Sequence, residues 1–265
     1  MNYYIHYNGG KVYYTDSGDG DTVVLLHGYL ENSSVWNGFA ARLEKAFRVI
    51  SVDLPGHGLS KVYGECHTME FMAGAVKALI DNLNLKKVIL TGHSMGGYVT
   101  LAFVEAFPEL LKAYCLFHSH PFADTPETLK KRENEIKVVK SGKKYLFYPE
   151  SVSKMFAAPN ILKMKEQVAR SKDIASGISN EGIIAVLNGM MARPSRLKVM
   201  EEGKVPCLWI LGKLDNYIVC DEMRKRVTLP SGSTAAILGN SGHMGFVEEE
   251  KHSADMFMEF ANGLK

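Results

Sequence analysis

The chain has 265 residues, of which 46% are hydrophobic and 23% are charged, and its formal net charge at pH 7 is +2. These values are typical of one globular domain, or one domain with an insertion, and they give no reason to expect nucleic acid or a membrane as a partner. No apolar run approaches the ~20 residues of a transmembrane helix. Without a visible signal peptide or a C-x-x-C pair among the four cysteines, we expect reduced, mostly buried thiols and a cytoplasmic location.

The first part of the chain alternates predicted strands with predicted helices. A hairpin signal, Asn8-Gly9-Gly10, separates the first two strands. Further β-rich apolar runs follow at residues 22–26, 47–52, 87–91 and 113–117. Predicted helices at 34–45 and 68–83 lie between them. Strands separated by helices favour parallel βαβ units, so we expect an α/β fold with a mostly parallel sheet flanked by helices.

The pattern changes after residue 120. Helices are predicted over 126–140, 160–171 and 181–191, with breaks at Gly142, Pro149, Pro159, Gly177 and Pro194. Strand patterns resume at 205–211 and 233–238, and a last helix is predicted over about 247–262. We therefore predict a core formed by residues 1–120 and 204–265, with a helical insertion over 121–203.

The insertion is basic, with 15 lysine and arginine residues against 10 acidic ones. Its lysines cluster where helix faces should meet water, so we expect solvated faces rather than a site for a polyanion. A steering patch for a small acid-bearing substrate is the alternative. The lysines concerned are Lys130, Lys131, Lys143 and Lys144.

The motif G-x-S-x-G occupies residues 92–96. It follows the apolar run 88–91 and precedes a predicted helix at 97–104, which is the context of a nucleophile elbow. Glycine on both sides of the serine gives the sharp turn its backbone freedom and its space. We predict that Ser94 is a nucleophile. The backbone N–H of Met95, at the start of the helix, is predicted to stabilise a developing oxyanion.

A serine nucleophile needs a base and a group that orients the base. Asp215 follows one predicted strand and His243 follows the next, which gives the order serine, acid, histidine of this architecture. Loops at the carboxyl ends of parallel strands share one edge of the sheet. Singly, Asp215 could cap a helix and His243 could be an ordinary loop histidine. Together with Ser94 they predict a catalytic triad. A second oxyanion donor is expected from the backbone of Tyr29.

Several other histidines lie near these loops. We expect His27, His57 and His93 to have structural roles. His118 is predicted to line a substrate pocket, with packing as the alternative. The spacing of His118 and His120 could hold a metal, but no further cysteine, histidine or aspartate cluster supports one, so no metal site is predicted.

With these residues assembled, the chain resembles the α/β-hydrolase fold superfamily over essentially its full length. The resemblance is carried by His27-Gly28 with Trp36, the D-L-P-G-H-G-x-S block at 53–60, G-H-S-M-G-G at 92–97, residues 212–215 and Gly242-His243. It implies an eight-stranded sheet, an insertion that forms a helical cap over the active site, and no cofactor. The similar group includes small esterases, enol-lactonases, C–C bond hydrolases and cofactor-free haloperoxidases. Serine at position 94 disfavours haloalkane dehalogenases and epoxide hydrolases, which use aspartate there.

This resemblance implies a serine hydrolase that cleaves a small carboxylic ester, thioester or lactone through an acyl-enzyme on Ser94. A C–C bond hydrolase or lyase-type enzyme with the same triad is the alternative, and a non-catalytic ligand-binding receptor is a further one. Apolar residues of the cap are expected to line an acyl pocket, although cap–core packing would also explain them. These residues are Phe156, Ile183, Leu187, Met190 and Met191. The sequence gives neither the natural substrate nor the oligomeric state.

Overall fold

A computed structural model describes residues 2–264. Its sheet has eight strands in the order β1-β2-β4-β3-β5-β6-β7-β8. The first strand pairs antiparallel with the second, the second pairs antiparallel with the fourth, and the remaining pairs are parallel. This confirms the predicted α/β fold with a mostly parallel eight-stranded sheet. The strands are β1 (Asn2–Tyr7), β2 (Gly10–Ser17), β3 (Thr22–Leu26), β4 (Arg48–Val52), β5 (Val88–His93), β6 (Leu111–Phe117), β7 (Cys207–Gly212) and β8 (Thr234–Leu238).

Helices connect the parallel strands and cover the sheet. The helices are α1 (Asn37–Leu43), α2 (Met69–Asn82), α3 (Met95–Ala106), α4 (Pro126–Lys140), α5 (Lys144–Ser153), α6 (Ala158–Ile161), α7 (Lys165–Gly177), α8 (Asn180–Ala192), α9 (Leu197–Glu202), α10 (Cys220–Arg226), α11 (Gly245–Glu248) and α12 (Glu250–Asn262). Helix α2 contacts α3, and α1 contacts α12. None of the helices within residues 2–264 combines the length and the apolar character needed to cross a bilayer.

Burial explains the two sequence patterns that predict the core. Every residue of β5 is buried, as expected for a strand of a parallel sheet that is covered on both faces. Helix α2 begins after Thr68, whose side chain accepts a hydrogen bond from the Phe71 amide at 3.1 Å. Its residues Met72 and Val76 lie on the buried face, so these positions belong to the core.

The segment between β6 and β7 contains helices only, within the part of the chain that the structure describes. Helix α5 runs through Pro149, so the predicted break there is wrong. Proline removes one helical hydrogen bond, but Tyr148 and Val152 are buried and the helix packs on α7. The helix predicted over 160–171 is in fact two helices, α6 and α7.

Helix α8 fixes the insertion against the core through small residues. A Cβ atom at Gly182 would collide with the Gly56 carbonyl, and one at Gly189 would collide with the His67 carbonyl. The His67 amide also donates to the Ala185 carbonyl at 2.8 Å. The backbone of α8 therefore lies directly on the loop that follows β4. We propose that residues 121–203 act as a cap, as the sequence predicts.

Candidate active site

Ser94 stands on a strained turn between β5 and α3, with φ of 48° and ψ of −112°. Only neighbouring contacts hold a non-glycine residue in such a conformation. The Ser94 amide donates to the Phe117 carbonyl at 2.9 Å, and the Ser94 carbonyl accepts from Ser119 Oγ at 2.7 Å. The backbone of Ser94 is thus tied to the end of β6 and to the loop that follows it.

The two glycines of the motif leave room for this turn. A side chain at Gly92 would collide with the Gly96 carbonyl and with Thr100, and a side chain at Gly96 would collide with the carbonyls of Leu26 and His27. The end of β3 and the start of α3 can therefore approach each other closely at the serine.

Asp215 and His243 meet at the same edge of the sheet. His243 Nδ1 lies 2.7 Å from Asp215 Oδ2, and both side chains are buried. The other carboxylate oxygen accepts hydrogen bonds from the amides of Tyr217 at 2.7 Å and Ile218 at 2.9 Å. Hydrogen bonds thus fix both oxygens of the carboxylate, and Oδ2 accepts the Nδ1 proton of the His243 ring.

The electrostatics of this pair favour an ionised acid and a basic imidazole. Burial alone would raise the pKa of Asp215, but the charge and hydrogen bond of His243, helped by the neighbouring His118 ring, hold that pKa well below its usual range. Burial alone would lower the pKa of His243, but the charge and the hydrogen bond of Asp215 outweigh it, and the pKa is raised. The contact with Asp215 therefore makes the His243 imidazole more basic than that of an ordinary histidine.

His118, which the sequence predicts to line a substrate pocket, is a buried neighbour of the acid. It is fully buried, its Nε2 accepts the Gly245 N–H at 3.1 Å, and its Nδ1 lies 3.4 Å from Asp215 Oδ2. Burial lowers the pKa of His118 to about 4, so the ring is neutral at pH 7. In place of the substrate contact that the sequence predicts, we propose that His118 positions Asp215.

The nitrogen and oxygen atoms of His118, Asp215 and His243 lie within 4.8 Å of one another, a spacing that could also suit a metal ion. In this group, however, His118 Nε2 accepts the Gly245 amide and His243 Nδ1 faces the carboxylate. Both rings are thus engaged by protein hydrogen-bond partners. The prediction that the protein uses no metal stays a prediction.

The two amides predicted to bind an oxyanion belong to the start of α3 and to the loop after β3. Met95 is the first residue of α3, and Tyr29 lies in the loop after β3, next to Leu30 with its φ of 63°. Within residues 2–264, neither the Met95 amide nor the Tyr29 amide has a protein acceptor. His27 braces this loop, because its Nδ1 contacts the Gly28 carbonyl at 2.7 Å and its Nε2 accepts the Leu54 amide at 2.9 Å.

The cap reaches the oxyanion loop through the side chain of Tyr29. The Tyr29 hydroxyl donates to Glu135 Oε1 at 2.7 Å and lies 3.1 Å from the Tyr148 hydroxyl. Burial raises the pKa of the Glu135 carboxyl, which the sequence does not single out. Helices α4 and α5 thus place a polar cluster beside one of the predicted oxyanion donors.

The apolar cap residues predicted to line an acyl pocket are buried, apart from the half-buried Met191. Ile183, Leu187 and Met190 share a face of α8 that differs from the glycine face against the core. Phe156 lies against the loop that carries His243, where a Cβ atom at Gly242 would collide with its backbone. Their contact with substrate stays a prediction.

Sequence reasoning missed several acidic residues that hold these loops. Glu248 Oε1 accepts the amides of Gly242 at 2.9 Å and Met244 at 3.2 Å, and its Oε2 accepts the Ala157 amide at 2.8 Å. One carboxylate therefore ties the histidine loop to the cap. Its signal in the sequence is weak, because Glu248 opens a run of three glutamates that resembles a solvated helix start. Glu31, whose Oε2 accepts the Gly28 amide, is a second such residue.

Comparison with known proteins agrees with this architecture. A family model described as the α/β hydrolase fold matches residues 21–136. An esterase from Thermogutta terrifontis covers 100% of this chain and 99% of its own, with a TM-score of 0.94 and 25% identity. The enol-lactonase of Burkholderia xenovorans covers 98% of this chain and 99% of its own, with a TM-score of 0.90; at 22% identity it shows the fold alone. The chain has the α/β-hydrolase fold, and residues 21–136 match the model of that family.

One relative found by sequence similarity is named as another kind of hydrolase. The 2-hydroxy-6-oxononadienedioate/2-hydroxy-6-oxononatrienedioate hydrolase of Escherichia coli K12 is 36% identical over 105 residues, which are 37% of this chain and 36% of that protein. The first curated relatives are matched over 28% of their length. These alignments therefore cover much less than the whole length of either partner.

Proposed function

We propose that the protein is a serine hydrolase that cleaves a small carboxylic ester, thioester or lactone through an acyl-enzyme on Ser94. The observation that carries this proposal is the 2.7 Å contact between buried Asp215 and His243 at the sheet edge where Ser94 stands on its strained turn. A serine hydroxyl gains nucleophilic strength from a base that is itself oriented by a carboxylate.

In the proposed reaction, Ser94 Oγ attacks the carbonyl carbon while His243 Nε2 takes the hydroxyl proton. Asp215 holds the Nδ1 proton and stabilises the imidazolium that forms. The amides of Met95 and Tyr29 donate to the oxyanion. The intermediate then expels an alcohol or a thiol, which receives the proton from His243. Water attacks the acyl-enzyme in the same manner and releases the acid and free Ser94.

The cap is the part of the site that would select the acyl group. The proposed pocket residues on α8 are apolar, and Tyr217, whose ring centroid lies 5.2 Å from that of His243, is half exposed beside the base. A half-exposed ring over the catalytic histidine suits the entrance of a site for a small, largely apolar substrate. The cytoplasmic location stays a prediction.

A C–C bond hydrolase with the same triad is the second candidate, because the Escherichia coli relative carries that kind of name. The ester-cleaving proposal has wider support, since the Thermogutta terrifontis esterase matches the whole chain at a TM-score of 0.94. A ligand-binding receptor that retains the triad would bind such compounds without turnover.

The test is a substrate panel with wild-type protein and Ser94→Ala. The panel contains p-nitrophenyl acetate and butyrate, a thioester, a lactone and a 2-hydroxy-6-oxodienoate. We expect ester, thioester or lactone turnover that Ser94→Ala abolishes, and Ser17→Ala, an exposed serine on β2, serves as the control. Turnover of the dienoate alone would favour the C–C hydrolase.

Labelling with a fluorophosphonate locates the nucleophile independently of the natural substrate. Ser94 should displace fluoride and form one adduct per chain, which mass spectrometry after digestion would locate. An adduct on another serine would contradict the assignment.

A further inference from the structure

Glu31 and His93 form a buried acid–imidazole contact that the reaction above does not use. Their side chains are 4% and 0% exposed, and His93 Nδ1 lies 2.9 Å from Glu31 Oε2. Glu31 lies in the oxyanion loop after β3, and His93 immediately precedes Ser94. The two residues are 62 positions apart in the chain. Their contact therefore joins two loops of the proposed site.

The partners of His93 define where its protons are. Its Nε2 lies 2.8 Å from the backbone carbonyl oxygen of His243, which can only accept a hydrogen bond, so this nitrogen carries a proton. Its Nδ1 faces a carboxylate oxygen that also accepts the Gly28 N–H at 2.5 Å. Glu31 Oε2 therefore joins the Gly28 amide of the oxyanion loop to the His93 ring beside the nucleophile.

The groups around Glu31 favour its ionised form. Burial alone would raise the pKa of Glu31, but the charge and hydrogen bond of His93 and the hydrogen bond from Gly28 outweigh it, and the pKa is lowered. The other oxygen, Oε1, has no hydrogen-bond partner among the described residues. A buried carboxylate with one bare oxygen depends strongly on the hydrogen-bond donors that face its other oxygen.

The pair touches each catalytic element of the proposed site. Through Gly28 it holds the residue next to the Tyr29 amide, and a side chain at Gly28 would collide with both Glu31 and His93. Through the His243 carbonyl it holds the backbone of the proposed base, whose amide donates to the Met155 carbonyl at 2.6 Å.

We propose that Glu31 and His93 are positioning residues, a buried carboxylate–imidazole pair that keeps the oxyanion loop, the nucleophile turn and the base in register. This inference rests on the proposed serine-hydrolase function. Displacement of a reacting group by about 1 Å lowers the rate by a factor on the order of 10². Among the described residues, the His243 carbonyl accepts no hydrogen bond other than the one from His93.

The Glu31 charge also acts on the base itself. It raises the pKa of His243, in the same direction as two other carboxylates. The titratable groups that face His243 are Asp215, Glu31, Glu248, His93, His118 and Tyr217. Replacing Glu31 by a neutral residue should therefore lower the pKa of His243. The acid limb, which is the fall of kcat/KM at low pH, should then move to lower pH.

The contact between His93 and the His243 carbonyl can be tested without any substrate. In wild-type protein labelled with ¹⁵N-histidine, the proton on His93 Nε2 should exchange slowly with solvent, because it lies buried against the His243 carbonyl, and its signal should be missing in His93→Phe. A His93 ring whose Nε2 carries no proton would overturn the contact and with it the proposal. Because this measurement needs no turnover, it separates failure of this inference from failure of the proposed function.

The positioning role is tested with Glu31→Gln, which keeps the shape of the side chain and removes its charge. The glutamine oxygen can take the place of Oε2, but its NH₂ group then lies where the bare Oε1 is and is buried there without an acceptor among the described residues. We expect kcat to fall by about 10²-fold with little change in KM, and the acid limb to shift to lower pH. The control is Glu105→Gln on α3, which contacts Arg196 and should change neither kcat nor the limb.

A double variant, Glu31→Leu with His93→Phe, guards against a folding defect in Glu31→Gln. Replacing both partners of a buried pair by apolar residues is often neutral for stability. The double variant should therefore fold, but its kcat should stay low and its acid limb should stay shifted. A stable double variant with wild-type kcat, or an unshifted acid limb in both variants, would show a purely structural role and would overturn the proposal.

Discussion

Asp215→Asn is the most direct perturbation of the proposed triad. The Asp215 carboxylate accepts hydrogen bonds from three N–H groups at 2.7 to 2.9 Å, and His118 Nδ1 lies 3.4 Å from its Oδ2. Asparagine has nearly the same shape, but it offers one acceptor oxygen and one NH₂ donor. If the oxygen keeps the two backbone amides, the NH₂ group faces His243 Nδ1–H. The imidazole must then place its proton on Nε2, where it can no longer accept the proton of Ser94.

The size of the expected effects follows from these contacts. The same replacement in serine-protease triads lowers kcat by about 10⁴-fold, which corresponds to about 5.4 kcal/mol. One or two buried donors lose their acceptor, at a cost of about 1–3 kcal/mol each. Because whole domains are stable by about 5–15 kcal/mol, we expect a folded protein that has lost nearly all activity.

The assay compares kcat/KM for a p-nitrophenyl ester with thermal unfolding of the same samples. Asp53→Asn is the matched control, because Asp53 is also buried and accepts two amides, those of Ser33 at 2.7 Å and Leu59 at 2.8 Å. It should lose stability but keep most of its activity. If Asp215→Asn retained more than about a tenth of wild-type activity, the assignment of Asp215 would be wrong.

Three further predictions concern pH, the cap and charge. Because His243 acts as a neutral base and its pKa is raised, kcat/KM should fall as the pH drops through a value above the ordinary 6.5; a midpoint below 6.5 would contradict this. Leu187→Trp or Met190→Trp should reduce turnover of butyrate esters more than that of acetate esters, and equal losses would mean that both residues face away from the acyl group. Raising the salt from 0.1 to 1 M shortens the Debye length from ~10 to ~3 Å, yet neutral and carboxylate-bearing esters should respond alike; a steep loss for the anionic ester alone would point to steering by cap lysines.

The four cap lysines show where a local sequence pattern predicts exposure to solvent correctly and where it does not. Lys130, Lys131 and Lys143 are exposed, as predicted. Lys144 is half-buried, and its ammonium group donates to the Ile178 carbonyl at the end of α7 and to the Ser176 carbonyl at 3.2 Å. The sequence around Lys144 looks like any solvated basic run, because the carbonyls that bind it come from a helix more than 30 positions away.

The sequence by itself determined the parts of this protein that depend on neighbouring residues. The alternation of apolar strands with amphipathic helices predicts the parallel sheet, since each pattern follows from the period of its own backbone. The glycines around Ser94 identify the turn, because the nucleophile and the space that it needs lie within five residues. Asp215 and His243 could be proposed because strands of a parallel sheet bring their carboxyl ends to one edge.

Only the tertiary structure decided which buried groups meet. It places His118 against Asp215, carries α5 through Pro149, and links His93 to the His243 carbonyl across 150 positions. These contacts have no periodic or local signature, because hydrogen bonds and charges act over a few ångströms in space, whatever the separation along the chain. A glutamate such as Glu31, which looks like a surface residue in the sequence, becomes a partner of the proposed site only when folding buries it beside an imidazole.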